Sequence, residues 1–209
     1  MGISKQQAAQ NREDIISAAE KLFRAKGVDA VGLNDLMDAA GFTRGGFYNH
    51  FKSKDALVAA VVDKAMQDGG AKVGAVIAGS RAKGRDSLEA QINQYLSAEH
   101  RADIESGCLL SGFAGDVRRL DEESRQRYAR GLEDSVECYT DLVAGPDDTR
   151  AAARAKAIAL FGEMVGILVL SRAVADAAPE LSDEILATGR KHLQSVARAR
   201  RQRAAQSSQ

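Results

Sequence analysis

Residues 43 to 54 bring together Thr43, Arg44, Tyr48, Asn49, His50, Lys52 and Lys54, and no acidic residue occurs from Phe42 to Lys54. Guanidinium, carboxamide, phenol, imidazole and ammonium groups bond hydrogen-bond acceptors without adding negative charge, a set suited to a polyanion. Arg44 can bond both acceptors on a guanine edge, and Asn49 can pair with adenine. Tyr48, His50 and Lys54 suit phosphates, contacts that fix register without reading sequence. The Thr43 and Arg44 amides at a helix amino end can also meet a phosphate. Gly45 and Gly46 have no side chain, so the backbone there can press close to a groove.

Such groups need a rigid element behind them. Leu36, Met37 and Ala40, and then Phe47 and Phe51, recur at helical spacing. Gly41 lies between the two runs, where the chain must turn sharply and glycine accepts a positive φ. Thr43 is placed to cap the second helix. The pattern predicts a helix-turn-helix with Phe47 and Phe51 inward and the polar set outward, the geometry by which a helix enters the major groove of DNA. A capping-box pattern from Ser4 to Gln7 opens an earlier helix that runs to about Lys26 and stops at Gly27. Its face Ile15, Ile16, Ala19, Leu22 and Phe23 would complete a three-helix unit. Ser53 caps a further helix through Leu57, Val58, Val61, Val62 and Met66, which Gly69-Gly70 is expected to end or bend.

At Asp35-Leu36, Ala39-Ala40-Gly41-Phe42-Thr43, Gly45-Gly46-Phe47-Tyr48, His50-Phe51 and Ser53-Lys54-Asp55-Ala56-Leu57, the chain resembles the TetR family of bacterial transcription regulators. The resemblance covers roughly the first 65 residues. Gly32 departs from it, since the family usually has Ser or Thr there to cap the second helix and touch a phosphate. The resemblance implies an operator-binding regulator whose two carboxy-terminal helices form a four-helix bundle with those of a second subunit.

Composition is consistent with an all-α chain: 44% hydrophobic and 28% charged residues, with only two prolines in 209 residues. Formal net charge is zero, so nucleic-acid affinity must come from local asymmetry. A second basic cluster, Arg198, Arg200, Arg201 and Arg203, reads as a solvated, frayed end. The amino terminus is polar through Asp14 and shows no signal-peptide pattern, and the charge-free apolar run Met164 to Leu170 is too short for a bilayer. Cys108 and Cys138 make no disulfide framework, which points to a reduced cytoplasmic protein.

The expected organisation is a helix-turn-helix domain over 1–52, a linking helix over about 53–68, and a helical ligand-binding and dimerisation domain over 69–209. In the larger domain, helices are expected at about 86–101, 107–119, 121–144, 148–176 and 181–199, punctuated by Gly107, Gly145-Pro146 and Pro179. Apolar and amphipathic residues on the middle helices, Tyr95, Cys108, Phe113, Tyr139, Phe161 and Met164, are candidates for a small-molecule pocket. Gly162 and Gly166, four apart, would let a second helix approach closely. With Ile185, Gly189, Leu193 and Val196 they form a candidate dimer interface.

These features predict a homodimeric regulator, a repressor released from a palindromic double-stranded operator by a small effector, with no cofactor and no membrane partner. An enzyme is disfavoured: His50, His100 and His192 lack metal-ligand spacing, and neither H-E-x-x-H, C-x-x-C nor a phosphate loop is present. An architectural DNA protein would need a strongly basic surface. A thiol redox regulator remains the alternative, because Cys108 follows Gly107 at the start of an expected helix.

Overall fold

The computed structural model describes residues 4–206, and every regular element among them is helical. Residues 1–3 and 207–209, which close the two expected domains, lie outside the described residues. The chain divides into two compact units: Met1–Asp68 with Ile104–Gly131, and Gly69–Asp103 with Leu132–Gln209. One division falls at 68/69. Residues 104–131, expected in the second domain, belong to the first unit.

In the first unit, α1 (Lys5–Lys26) is capped by Ser4, whose hydroxyl accepts from the Gln7 amide at 3.1 Å. The bond from Ser4 is one half of the capping box, and the Gln7 side-chain amide donates to Asn11 one turn on. Helix α1 ends at Gly27, with φ of +82°. Helix α2 (Leu33–Ala39) starts at Gly32, where Asp35 supplies the missing cap by accepting the Gly32 amide at 3.1 Å. It closes with Gly41 at φ +78°, the Phe42 amide reaching Met37 O at 2.8 Å and the Gly41 amide Asp38 O at 3.1 Å. That paired bonding is a Schellman turn, and it needs the left-handed conformation glycine provides. The next element, Arg44–Asn49, is a 3₁₀ helix of about two turns by its length, rather than an α-helix. Helix α3 (Lys54–Ala82) then begins on Ser53, which accepts the Ala56 amide at 3.1 Å.

Ile15, Ile16, Ala19, Phe23, Leu36, Met37, Phe47, Phe51, Leu57, Val58, Val61 and Val62 form one buried cluster. Leu109 and Phe113 of α6 (Leu109–Phe113), and Leu120, complete it. Burying a side chain of this size stabilises by about 1.5–3 kcal/mol, so the cluster holds residues 104–131 in this unit. The helix expected over 107–119 is only α6 and a 3₁₀ turn, Val117–Arg119. Helix α7 (Glu122–Val143) follows and continues past the division.

The second unit holds α4 (Ser87–Tyr95), α5 (Ala98–Ala102), α8 (Arg150–Val174) and α9 (Pro179–Gln206). The single helix expected over 86–101 breaks at Leu96, where Ser97 caps α5 by accepting the His100 amide at 3.0 Å. Helix α8 packs on α9 through a reciprocal buried pair, Ser171 Oγ to Ser182 O at 2.9 Å and Ser182 Oγ to Ser171 O at 2.7 Å. The expected frayed tail is helical and engaged. Arg200 donates to Asp86 at 2.7 Å and to Leu142 O at 2.9 Å, and Arg198 and Arg201 lie beside Glu89. Helix α3 is continuous through Gly69-Gly70, which neither end it nor cap it.

Candidate nucleic-acid interface

The 3₁₀ helix stands on Phe47, fully buried, and Phe51, 4% exposed, with their ring centroids 5.8 Å apart. Both aromatic side chains point inward as their spacing requires. The opposite face leaves Thr43, Arg44, Gly45, Tyr48 and Asn49 exposed, with Gly46 and His50 half-buried. Tyr48 is 63% exposed and rests edge-on against Phe47, its ring centroid at 5.3 Å. Thr43 occupies the cap position by backbone geometry, but its hydroxyl accepts no cap bond. The first turn is held instead by the Gly46 amide on Thr43 O at 2.9 Å. An added Cβ would meet nothing within 4 Å at Gly45, so the backbone is open to approach there.

Lys54 differs from its sequence reading. Its ammonium donates to Val28 O at 2.7 Å and lies 5.9 Å over the Phe23 ring, so the residue is half-buried. One of three donors is committed to the loop after α1, a contact across 26 positions that no local pattern signals. Arg12, not singled out in the sequence, lies 4.7 Å over the Phe51 ring and so brings a further cation beside the end of this element.

The other candidate residues separate. Tyr95, Tyr139 and Phe161 come together in the second unit, Phe161 lying 4.8 Å from the Tyr139 ring and 6.4 Å from that of Tyr95, and Met164 is buried on the same helix as Phe161. Phe113 belongs to the first unit's core, and Cys108 lies at the start of α6 in the same unit. The expected pocket set is therefore divided between the two units. A cleft of about 290 Å³ does open on the first unit, among Arg12, Glu13, Ile16, Asp63, Lys64 and Arg127, but its charged rim does not suit an apolar ligand.

The dimer candidates also divide. Added Cβ atoms at Gly162 and Gly166 would meet nothing within 4 Å, whereas one at Gly189 would overlap Ile167 of α8. Gly189 therefore serves the approach of α9 to α8 within the chain. Leu193 is buried in the chain as well, while Ile185 is half-buried and Val196 is 41% exposed.

A three-helix unit with a short recognition element on an aromatic base defines a helix-turn-helix protein carrying a second helical unit. The family model described as "Bacterial regulatory proteins, tetR family" matches residues 15–61, the region that builds this unit. Over those residues the chain carries the amino-terminal, DNA-binding part of that family. It is 26% identical to the HTH-type transcriptional repressor NemR of Escherichia coli K12 over 120 residues, 57% of this chain and 60% of NemR. It therefore spans less than two thirds of that relative's length. It is 43% identical to the HTH-type transcriptional regulator TtgR of Pseudomonas putida over 60 residues, 29% of each chain. Among solved structures, the reduced form of E. coli NemR superposes with a TM-score of 0.70 at 20% identity, over 89% of this chain and 97% of that one. A regulator from Chloroflexus aurantiacus gives 0.74 at 22% identity, over 91% and 95%. At these identities the superpositions show the fold.

Proposed function

We propose that the chain is a cytoplasmic, homodimeric transcriptional repressor that reads a palindromic duplex operator and is released from it by a small effector. The observation that carries this is the exposed, acid-free face of the Arg44–Asn49 helix, set on the buried Phe47 and Phe51. Arg44 and Asn49 are assigned to base edges, and Tyr48, His50 and Lys54 to phosphates, with the Thr43 and Arg44 amides and the bare Gly45-Gly46 backbone allowing close approach. Fluorescence anisotropy with duplexes recovered by selection tests this reading, and the chain should bind them far more tightly than scrambled duplexes of the same length.

Dimerisation is supported by an uncovered apolar face. Ile158 is 51% exposed, Val169 38%, Leu170 60% and Val196 41%, on α8 and α9 beside the open Gly162 and Gly166. Ile158, Gly162, Gly166, Val169 and Leu170 share one face of α8 by their spacing, and exposed apolar surface gathered on one face is what an interaction site needs. By length and composition α8 could also cross a membrane. A second copy of the chain is the better cover, because α8 also packs on α9, whose outer face carries Lys191, His192 and Arg198.

The effector site is placed around Tyr95, Tyr139, Phe161 and Met164, whose aromatic and thioether surfaces suit a largely apolar ligand. Such a ligand acts only if it prefers one arrangement of the protein over another. Thiol sensing by Cys108 has weaker support: the half-buried residue stands before a five-residue helix with no cap bond, and Cys138 lies in the other unit.

A further inference from the structure

The cleft of about 290 Å³ lies wholly within the first unit, between α1, α3 and α7, and neither operator recognition nor the proposed effector site uses it. Small-molecule sites run from roughly 300 Å³ upward, so a cleft of this size suits a single-ring molecule. Ile16, Ala56 and Ala60 line it with apolar surface, against which a ring could rest.

Its charged side chains are unequally committed. Arg127 is spent, because it pairs with Asp63 and its Nε and Nη2 donate to Glu123 Oε1 at 3.2 and 2.5 Å. Lys64 gives one donor to Asp68 at 2.5 Å and keeps two. Arg12 has no hydrogen-bond partner among the described residues. Its guanidinium lies 4.7 Å over the Phe51 ring, and the carboxylate paired with it is Glu13, 3.9 Å away on a side chain 54% exposed. An exposed pair of that length contributes little. The cleft therefore keeps an uncommitted planar fork of five donors beside apolar surface. Such a fork bonds a carboxylate or a phosphate through two parallel hydrogen bonds.

We propose that this cleft binds a small aromatic oxyanion, with its charge on Arg12 and Lys64 and its ring against Ile16, Ala56 and Ala60, and that the bound anion weakens operator binding through Arg12. The regulatory half rests on the DNA-binding reading, whereas the site itself does not. Arg12 lies against Phe51, the aromatic base at the end of the recognition element, so its charge adds to the attraction for duplex. An anion held on that guanidinium cancels the attraction. By linkage, duplex must then weaken the anion by the same factor.

The test titrates the full chain, at constant ionic strength, with benzoate, phenyl phosphate, inorganic phosphate, benzamide and benzylamine, following backbone amide shifts. At least one of the two aromatic anions should give saturable shifts confined to residues around 12–16, 56–67 and 127, and their ranking separates a carboxylate from a phosphate ligand. Inorganic phosphate, which buries no ring, should bind about ten-fold more weakly than phenyl phosphate. Arg12→Gln should weaken the aromatic anion by about ten-fold or more, the loss expected for hydrogen bonds between charged groups. Glu13→Gln should tighten it, because a competing carboxylate is gone. Both replaced side chains are largely exposed, so the urea midpoint should hold. No saturation by either aromatic anion, a preference for benzamide or benzylamine, or unchanged affinity in Arg12→Gln overturns the site. On a duplex selected with the wild type, the anion should lower affinity in the wild type and much less in Arg12→Gln. An anion that fills the cleft and leaves duplex affinity unchanged overturns the regulatory half. If the wild type selects no duplex, the DNA-binding reading fails, while the titration of the free protein still decides the site.

Discussion

The Lys54 ammonium donates to the Val28 carbonyl at 2.7 Å, tying the first residue of α3 to the loop that follows α1. A charge-assisted hydrogen bond to the carbonyl of the buried Val28 both fixes α3 and holds the cation near the recognition element. Lys54→Ala should therefore act twice. Loss of the bond should lower unfolding stability by about 1–3 kcal/mol. Loss of the cation should weaken binding to all duplexes alike and reduce the slope of log affinity against log salt by roughly one. Urea titration and salt-dependent anisotropy separate the two effects. Unchanged stability would show the carbonyl contact to be incidental.

Arg44 is exposed and is assigned to a base edge. Arg44→Ala should cost about 1–3 kcal/mol on the selected operator and much less on random duplex. Competition binding on both duplexes checks this. Equal losses would make Arg44 a phosphate contact.

Phe47 has no exposed surface and carries Tyr48 and Phe51 against its ring. Phe47→Ala should destabilise the first unit by about 3–5 kcal/mol and abolish operator binding without removing any proposed DNA contact. The urea midpoint and anisotropy together measure the two consequences.

Gly166 has open space where a side chain would grow, so Gly166→Glu should leave a single chain folded. A charge on the proposed subunit contact would be buried without a partner, which the subunits avoid by separating. Analytical ultracentrifugation should find folded monomers with weak operator binding. A Gly166→Glu dimer with normal binding would place the interface elsewhere.

His100 is held below its ordinary pKa of 6.5, first by burial, against the opposing effect of its 2.7 Å contact with Tyr95 O, and with help from the nearby Arg172 charge. The unfolded chain therefore takes up this proton before the folded one. Stability should be lost as pH falls from 6.5 towards the lower folded value, and should change no further below that. Urea midpoints between about pH 5 and 7 should show this fall, and His100→Asn should flatten it.

Local patterns read the reading head well. Gly41 takes the positive φ that its place between two helices requires, Ser4 and Ser53 cap as their positions suggest, and Phe47 and Phe51 turn inward. Where long-range packing decides, the sequence was less legible. Leu109, Phe113 and Leu120 show helical spacing but not which core they join, so spacing alone does not place residues 104–131 in the first unit. The same blindness grouped Phe113 with Tyr139 and offered Gly189 to a second subunit when Ile167 already fills the space beside it. Gly69-Gly70 reads locally as a helix end, because glycine's low helix propensity carries no information about the continuity of α3 on either side.

The central claim is sequence-specific recognition of duplex DNA by the residues around the 3₁₀ helix. It is tested most directly by selecting bound duplexes from a random pool with the purified full chain and sequencing them. The account predicts enrichment of a palindrome whose half-sites lie about one helical turn, roughly 34–36 Å, apart, with Arg44→Ala changing the bases preferred within each half-site. A pool that stays random under the wild type, or the same enriched palindrome with Arg44→Ala, would contradict it.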